Sequence, residues 1–209
     1  MAWLCFSPLI IATRNAGKLS EFRDLLAAVT EHVIGLEAFT GIPSVAETGA
    51  TFAENALIKA RTVRAATGGC VLADDSGLCV DALDGAPGVY SARYAGEQAS
   101  DAENIAKLLA ALRDVPPDQR TAQFVCVLAL VTDTEERCFT GLCSGVIAAE
   151  PRGQLGFGYD PLFIPEGETR TFAEMTAAEK ARYSHRARAV EALITHLHNQ
   201  QPSEGFSTS

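Results

Sequence analysis

A short strand, a tight turn and a helix follow one another at the start of the chain, and this succession is what most constrains its fold. The apolar run from Leu9 to Ala12 is of strand type, and Asn15-Ala16-Gly17 is typical of a turn. Apolar residues then recur at helical spacing from Leu19 to Val29. The sequence therefore predicts a strand that enters a helix through a tight loop.

Capping signals predict two further helices. Thr51 and Glu54 form a capping box, and Gly68-Gly69 ends this second helix just before a strand from Cys70 to Ala73. A similar box at Ser100 to Glu103 starts a third helix, which we expect to run to about Arg113 before two prolines stop it.

Two β-rich runs follow the third helix. They read "AQFVCVLALVT" and "RCFTGLCSGVIAA", and the polar "DTEE" separates them. This pattern predicts an antiparallel hairpin, so the sheet is expected to be mixed.

The C-terminal part is predicted to be helical in two pieces, within "TFAEMTAAEKARYSHRARAVEALITHLHN", with Ser184 capping the second piece. The polar tail at 201–209 is expected to be disordered. We interpret residues 1–200 as a single domain.

Composition narrows the functional classes. A chain of 209 residues suffices for one well-buried domain, or for two lobes around a cleft. Its net charge of -9 argues against a nucleic-acid partner, since such binding depends on clustered Lys and Arg. No apolar run approaches the ~20 residues that a membrane span needs, and the N-terminus lacks the charged region of a signal peptide. We therefore expect a cytoplasmic protein without a membrane partner.

The six cysteines form no C-x-x-C pair, and most stand among Val, Leu and Ala. We interpret them as small buried hydrophobic residues: Cys5, Cys70, Cys79, Cys126, Cys138 and Cys143.

The loop "TRNAGK", residues 13–18, has the character of an anion site. A loop that leaves a strand and opens a helix directs backbone N–H groups at one spot, and Lys18 adds a positive charge there. It is not a P-loop, because Ala12 and Leu19 stand where that motif needs Gly and Ser or Thr. The alternative is an ordinary strand-to-helix turn with a surface lysine.

Two adjacent carboxylates, Asp74 and Asp75, come directly after the predicted strand, and a glycine-rich turn is expected after them. Such a pair is costly to desolvate without a stabilising partner. Together with Glu47 they provide the hard oxygen ligands that Mg²⁺ prefers. The alternative is that Asp75 and Ser76 only cap a turn while Asp74 is solvated.

Two later segments suggest a site for a flat ligand. "GFGYDPLF", residues 156–163, combines glycines, aromatic rings and a carboxylate, although a glycine-bent strand entering the core explains it as well. Lys180, His185 and Arg186 stand just before and at a helix start, where cations are unfavourable unless an electron-rich group is present.

Taken together, these motifs resemble the inosine/xanthosine triphosphate pyrophosphatases. The stretches that carry the similarity are "TRNAGK", "AETGATFAENALIKAR", "ADDSGLCVDALDGAPGVYSARYAG", "GFGYDPLF" and "EKARYSHRARA". They occur in the family's order over about residues 10–197. The resemblance implies an elongated α/β fold with a central twisted mixed sheet flanked by helices and two lobes around a substrate cleft. It also implies a homodimer and Mg²⁺-dependent hydrolysis of dITP, ITP and XTP to a nucleoside monophosphate and pyrophosphate.

The resemblance also implies roles for individual residues. Glu47 and Asp75 would bind Mg²⁺, and Asp75 would accept the proton of the attacking water. Phosphates would lie near Thr13, Asn15 and Lys18, joined by Lys59, and the base would lie near the later motifs. The full set of expected substrate contacts is Thr13, Arg14, Asn15, Ala16, Gly17, Lys18, Lys59, Ser76, Phe157, Gly158, Tyr159, Asp160, Lys180, His185 and Arg186. Arg14 departs from the family, in which a small residue often precedes the Asn, so it either contacts phosphate or lies on the surface.

Two other functions stay open at this point. One is a nucleotide-binding regulator without catalysis, which the presence of all the expected metal and base residues disfavours. The other is a pyrophosphatase for modified pyrimidine nucleotides, which the "SHR" and "FGYD" segments disfavour.

Overall fold

The computed structural model describes residues 8–27, 29–30 and 32–199. Cys5 and the tail at 201–209, for which we made predictions above, lie outside the described residues. Within these ranges, no helix is both long and apolar enough to cross a bilayer.

A six-stranded mixed sheet forms the centre of the fold. The strands are β1 (Leu9–Ile11), β2 (Val33–Gly35), β3 (Cys70–Val80), β4 (Thr121–Val131), β5 (Glu136–Ile147) and β6 (Phe163–Pro165). Their order across the sheet is β2-β1-β3-β4-β5-β6. β1 pairs in parallel with β2 and β3, whereas β3, β4, β5 and β6 pair antiparallel. The predicted hairpin and the mixed sheet are thus confirmed.

Helices flank this sheet. They are α1 (Ala16–Leu26), α2 (Phe52–Thr67), α3 (Asp101–Ala111), α4 (Ala177–Ala181) and α5 (His185–Asn199). Both predicted capping boxes are present at the starts of α2 and α3. Ser184 accepts a hydrogen bond from the Ala187 N–H at 3.1 Å, as expected of a residue that caps α5.

The third strand is longer than the sequence predicted. We expected it to end at Ala73, but β3 continues through both aspartates to Val80 and pairs with β4 along this length. The strand persists because each aspartate has a cation beside it, as described below. Gly77 lies within β3 and does not end the strand. A side chain there would meet the backbone oxygen of Gly88 at 2.3 Å, so glycine allows a close approach of two chain segments.

The first strand ends well before the third, which leaves part of one edge of β3 without a strand partner among the described residues. Ile11, the last residue of β1, pairs with Leu72, so the edge of β3 beyond Leu72 has no further partner from β1. Asp74 and Asp75 lie just past this point. In α/β sheets, ligands bind in the crevice beyond the carboxyl ends of parallel strands, and β1 provides such an end here.

Three apolar clusters hold the layers together. One packs α1 and α5 on the face of the sheet to which Leu72 points, and another packs α2 on the face of Val71 and Ala73. The third joins α3 to the far ends of β3 and β4 and to Phe163 and Phe172. The cluster positions agree with a sheet covered on both faces, while the elongated shape, the two lobes and the single domain over residues 1–200 stay predictions.

The cysteine interpretation is correct for most of the described thiols. Cys70, Cys126 and Cys143 are buried, and Cys79 is half-buried. Cys138 is exposed and so contradicts the expectation, because it belongs to the part of β5 where three consecutive residues, 136–138, face solvent.

Candidate active site

The two adjacent aspartates of β3 lie on opposite faces of the sheet. Successive side chains of a strand alternate between faces, and here Asp74 meets residues of α1 and α5 while Asp75 meets residues of α2. Each aspartate therefore has its own cations on its own face of the sheet, and this allows two neighbouring carboxylates to be buried together.

Asp74 is surrounded by positive charge. It is 2% exposed, and its Oδ2 lies 2.8 Å from the Lys18 Nζ and accepts from the Ser76 hydroxyl at 2.7 Å. Arg186 approaches the same oxygen at 3.5 Å. Burial raises the pKa of this carboxyl, but the charges of Lys18, Arg186 and Lys59 outweigh burial and hold the pKa well below its ordinary value. Asp74 is therefore a permanent anion at neutral pH.

Asp75 has the opposite tendency. Its Oδ1 accepts from the Lys59 Nζ at 2.9 Å, and its Oδ2 accepts from the Asn55 amide at 3.3 Å. Burial raises its pKa, the neighbouring Glu47 charge raises it further, and the attraction of Lys59 does not cancel these effects. A carboxylate with a raised pKa binds a proton more readily, which is the property of a general base.

Glu47 joins this group from a segment without helix or strand, residues 39–51. Its Oε1 accepts from the same Lys59 Nζ at 2.9 Å, and its Oε2 lies 3.2 Å from Arg93. Although burial raises the pKa of Glu47, Lys59 and the hydrogen bond from Arg93 lower it overall. Glu47 and Asp75 thus share one ammonium group.

This donor set fits Mg²⁺. Residues 8–27, 29–30 and 32–199 contain no cluster of three or more His, Cys, Asp and Glu side chains arranged for a metal ion. Mg²⁺ is usually held by one or two carboxylates with substrate phosphates and waters supplying the rest, so Glu47 and Asp75 suffice as protein ligands.

The "TRNAGK" loop forms the start of α1, as predicted. Asn15 caps the helix by accepting from the Lys18 N–H at 3.0 Å, and the Thr13 hydroxyl accepts from the Asn15 N–H at 3.2 Å. Arg14 is exposed and donates to the Ile42 carbonyl at 2.9 Å. Asn15 and Lys18 line a cavity beside Phe157, whereas Thr13, Arg14 and Ala16 line an adjoining groove.

Gly17 connects this loop to the later aromatic motif. A side chain at Gly17 would lie 2.7 Å from the ring of Phe157. The absence of that side chain lets the ring lie across the first turn of α1, and the first and fourth motifs therefore meet in space.

The cavity beside Phe157 brings together all of the predicted base-binding residues. Its lining includes Ser76, Phe157, Gly158, Tyr159, Asp160, Lys180, His185 and Arg186. Asp160 accepts from the Lys180 Nζ at 2.6 Å and from the Phe157 N–H at 3.0 Å. Burial raises the pKa of Asp160 more than Lys180 lowers it. The Lys180 Nζ also lies 5.0 Å from the centre of the Phe157 ring.

Arg186 is the most deeply placed cation, with only 1% of its surface exposed. One terminal nitrogen contacts Glu21, and the other lies 3.3 Å from the Ser76 hydroxyl and near Asp74. Its Nε has no hydrogen-bond partner among the described residues. The carboxylates explain how a cation can stand at the start of α5.

His185 lies next to Arg186 in the sequence and is buried. Its ring stacks on Phe124, with 4.7 Å between the ring centres, and its Nδ1 has no partner among the described residues. Burial lowers the pKa of His185 well below its ordinary value, and the charges of Arg186 and Lys180 lower it further. The imidazole is therefore neutral at physiological pH.

Sequence reasoning missed four residues that organise the site: Glu21, Asn55, Arg93 and Asp101. Asn55 could have been found, because it lies four residues before Lys59 on the same face of α2. Glu21 similarly lies three residues after Lys18 on α1. Arg93 and Asp101 carry no local signal, since their partners Glu47 and Gly158 are distant in the sequence.

Comparison with known proteins shows the family to which the chain belongs. The sequence model of the Ham1 family matches residues 9–196. The chain belongs to the Ham1 family. A relative named dITP/XTP pyrophosphatase from Streptomyces coelicolor is 51% identical over 189 residues, which cover 89% of this chain and 94% of the relative.

Solved Ham1 structures have the same fold. The HAM1 protein from Coxiella burnetii superposes with a TM-score of 0.83 at 45% identity, covering 93% of this chain and 100% of that one. The Ham1 protein of Staphylococcus aureus gives a TM-score of 0.82 at 42% identity, covering 92% of this chain and 99% of the other. The resemblance inferred from the sequence is confirmed, as is the prediction that the chain is an enzyme of the nucleoside-triphosphate pyrophosphatase class.

Proposed function

We propose that this protein hydrolyses the non-standard purine nucleoside triphosphates dITP, ITP and XTP to the nucleoside monophosphate and pyrophosphate, with Mg²⁺ as cofactor. Such an activity removes these nucleotides from the pool. The observation that carries the proposal is that two chemically different groups of residues lie close together, because Lys18 lines the cavity under Phe157 and also contacts Asp74, the neighbour of Asp75. The Glu47–Lys59–Asp75 group suits a metal-bound polyphosphate, and the cavity under Phe157 suits a flat base.

The residues proposed to bind the phosphates act through their charge. Lys18 and Lys59 supply positive charge for the phosphates, and the loop at the start of α1 adds backbone N–H groups. Asp75 accepts the proton of the water that attacks the α-phosphorus, a role to which its raised pKa is suited. Glu47 and Asp75 would hold Mg²⁺, which, when bound, neutralises charge on the phosphates.

The residues proposed to bind the base distinguish purines through their hydrogen-bond donors. Arg186, Lys180 and backbone N–H groups can donate to the keto oxygen at position 6 of hypoxanthine or xanthine. Adenine presents an amino group there, so a site built to donate leaves buried donors unpaired. Guanine shares the keto oxygen, and we therefore expect GTP to be rejected less completely than ATP.

The relatives support this choice of substrates, because the Streptomyces coelicolor protein bears the name dITP/XTP pyrophosphatase. The homodimer, the cytoplasmic location and the lack of a nucleic-acid partner rest on the resemblance and on the composition. Sedimentation of the purified protein tests the dimer directly.

A substrate panel tests the proposal. Pyrophosphate release is measured with dITP, ITP, XTP, GTP and ATP, with Mg²⁺ and after exhaustive chelation. We expect the first three to be hydrolysed best, ATP worst, and every rate to vanish on chelation. Loss of one or two donors costs roughly ten- to a hundredfold per hydrogen bond, so Arg186→Ala should lower kcat/KM for ITP and narrow its advantage over ATP.

Three results would contradict the proposal. Equal rates with ATP and ITP would show that the cavity does not select the base. Full activity without divalent metal would show that the reaction does not need the proposed Mg²⁺. Tight binding of ITP without any pyrophosphate release would instead support a nucleotide-binding regulator.

A further inference from the structure

The loop that carries Phe157 is held at three points. The Tyr159 hydroxyl donates to the Ser91 carbonyl at 2.9 Å, and Asp160 accepts from Lys180 at 2.6 Å. The third contact comes from α3: the Oδ2 of Asp101 accepts from the backbone N–H of Gly158 at 2.7 Å. Residues 57 positions apart in the sequence are thereby joined directly at the cavity.

The contact from Asp101 differs from the other two in what it holds. Tyr159 and Asp160 are buried side chains, and Asp160 also accepts from the Phe157 N–H at 3.0 Å within the loop. Asp101 instead holds the backbone of Gly158 from outside the loop; Gly158 has a φ of 62° and directly follows Phe157. Upstream, the carbonyl of Ala173 accepts from the backbone N–H groups of residues 154 and 155 at 3.1 and 3.0 Å, so Asp101 supports the stretch between that contact and Tyr159.

Asp101 is itself firmly placed. It is the first residue of α3, whose start is fixed by the capping box of Ser100 and Glu103. The same helix is anchored in the core through Leu108. The carboxylate is thus presented to the loop from a rigid element, as an effective support of a binding site requires.

We propose that Asp101 is a positioning residue for base recognition: it holds the Gly158 N–H and thereby keeps the Phe157 ring in place over the cavity. The inference rests on the proposed function, since it assumes that this cavity receives the base. Without the contact, the loop is more mobile and must be ordered when substrate binds, which weakens binding more than it slows chemistry.

Three variants test this role. Asp101→Ala removes the acceptor, Asp101→Asn keeps an oxygen that can accept from Gly158, and Glu103→Ala is the matched control. Glu103 lies in the same first turn and accepts from the Ser100 N–H at 2.7 Å, so its loss weakens the helix start without touching the loop. The measurements are hydrogen–deuterium exchange of residues 155–160 in the free protein, and KM and kcat for ITP.

We expect Asp101→Ala to accelerate exchange in residues 155–160 and to raise KM for ITP about tenfold, with kcat changed by less than about threefold, as for loss of one exposed charge-assisted hydrogen bond. Asp101→Asn should restore most of the exchange protection and of the KM. Glu103→Ala loosens the helix start but keeps the acceptor, so its effect on exchange and on KM should be clearly smaller than that of Asp101→Ala. Unchanged exchange in Asp101→Ala would overturn the inference. So would an Asp101→Asn variant as impaired as the alanine variant, or a loss confined to kcat.

The outcome separates the inference from the proposed function. If the wild-type protein did not prefer ITP to ATP, the proposed function would fail, while the exchange data would still report whether Asp101 holds the loop. If wild type preferred ITP and Asp101→Ala kept its KM, only the inference would fail.

Discussion

Asp74 and Asp75 are neighbours in the sequence, yet their surroundings suit them to different tasks. Asp74 faces Lys18 and Arg186 and has a lowered pKa, whereas Asp75 faces Lys59 beside a second carboxylate and has a raised pKa. Environments that push two titratable groups apart in pKa commonly separate a structural or electrostatic role from an acid–base role. We therefore propose that Asp75 accepts the proton and that Asp74 orients Lys18 and Arg186.

Replacing Asp75 tests this assignment. Asp75→Asn keeps the side-chain shape but removes the charge, so we expect pyrophosphate release from ITP to fall by more than about 10²-fold while the protein stays folded. Asp84→Asn is a suitable control, because Asp84 lies outside the cavity in a left-handed turn that asparagine tolerates. Near-normal activity of Asp75→Asn at saturating Mg²⁺ would remove Asp75 from both of its proposed roles.

His185 should make stability depend on pH. The unfolded chain protonates this imidazole below about pH 6.5, but in the folded protein burial, Arg186 and Lys180 keep its pKa well below that value. Between the two pKa values the unfolded state binds the extra proton, so the free energy of unfolding falls as the pH is lowered. This difference in proton binding changes the free energy of unfolding by up to about 1.4 kcal/mol per pH unit.

Urea denaturation across this pH range measures the effect. His185→Phe keeps a flat ring against Phe124 and removes the titration, so its unfolding free energy should fall less steeply below pH 6.5 than that of wild type. His198→Gln, at the exposed end of the same helix, serves as the control. Parallel pH profiles for wild type and His185→Phe would show that His185 is protonated in the folded state.

At the scale of elements, the placement of α5 decides where two site residues lie. The helix begins at His185 and crosses β5 at Gly141, where the two backbones approach closely. A side chain at Gly141 would meet the backbone oxygen of His185 at 2.0 Å and the backbone nitrogen of Ala189 at 2.4 Å. Neither atom can move without moving the helix, so this glycine sets the distance between α5 and the sheet.

We predict that Gly141→Ala both destabilises the protein and impairs catalysis. Displacing α5 shifts His185 and Arg186 and strains the core, and overpacking of this kind costs about 1–3 kcal/mol. Thermal denaturation and kcat/KM for ITP are measured together with those of Thr140→Ala, a neighbouring exposed position on β5. A Gly141→Ala protein with wild-type stability and activity would contradict the close packing described here.

At the scale of the molecule, the proposed site residues come from segments throughout the chain. Lys18 comes from α1, Lys59 from α2, the aspartates from β3, and Arg186 from α5. Glu21 and Arg186, which contact each other, are 165 positions apart. A ligand that contacts these residues therefore connects elements that lie far apart in the sequence.

Ligand binding should accordingly stabilise the whole protein. With Mg²⁺, a non-hydrolysable ITP analogue at about 100 times its dissociation constant should add about 2.7 kcal/mol to the free energy of unfolding. For a chain of this size, that corresponds to a rise in Tm of roughly 5–10 °C. The matching ATP analogue at the same concentration should raise Tm less. An equal rise in Tm with the two analogues would contradict base selection by the proposed site.

The local elements and the residue types proposed for the site followed from the sequence alone. The capping boxes at Thr51 and Ser100, the hairpin and the loop that begins α1 depend on neighbouring residues, so they could be predicted from short stretches. The family resemblance then indicated the metal and base residues. Local patterns were enough for these features because turns, caps and periodicity are properties of contiguous chain.

How those residues are paired depends on the folded structure. The extension of β3 through Asp74 and Asp75 depends on pairing with β4 and on cations from separate helices, and no local pattern shows either. The contacts of Glu21 with Arg186, of Arg93 with Glu47 and of Asp101 with Gly158 likewise arise only when distant elements pack on the sheet. Burial and neighbouring charge, which set the pKa values of the two aspartates, are properties of this packing and have no counterpart in the linear chain.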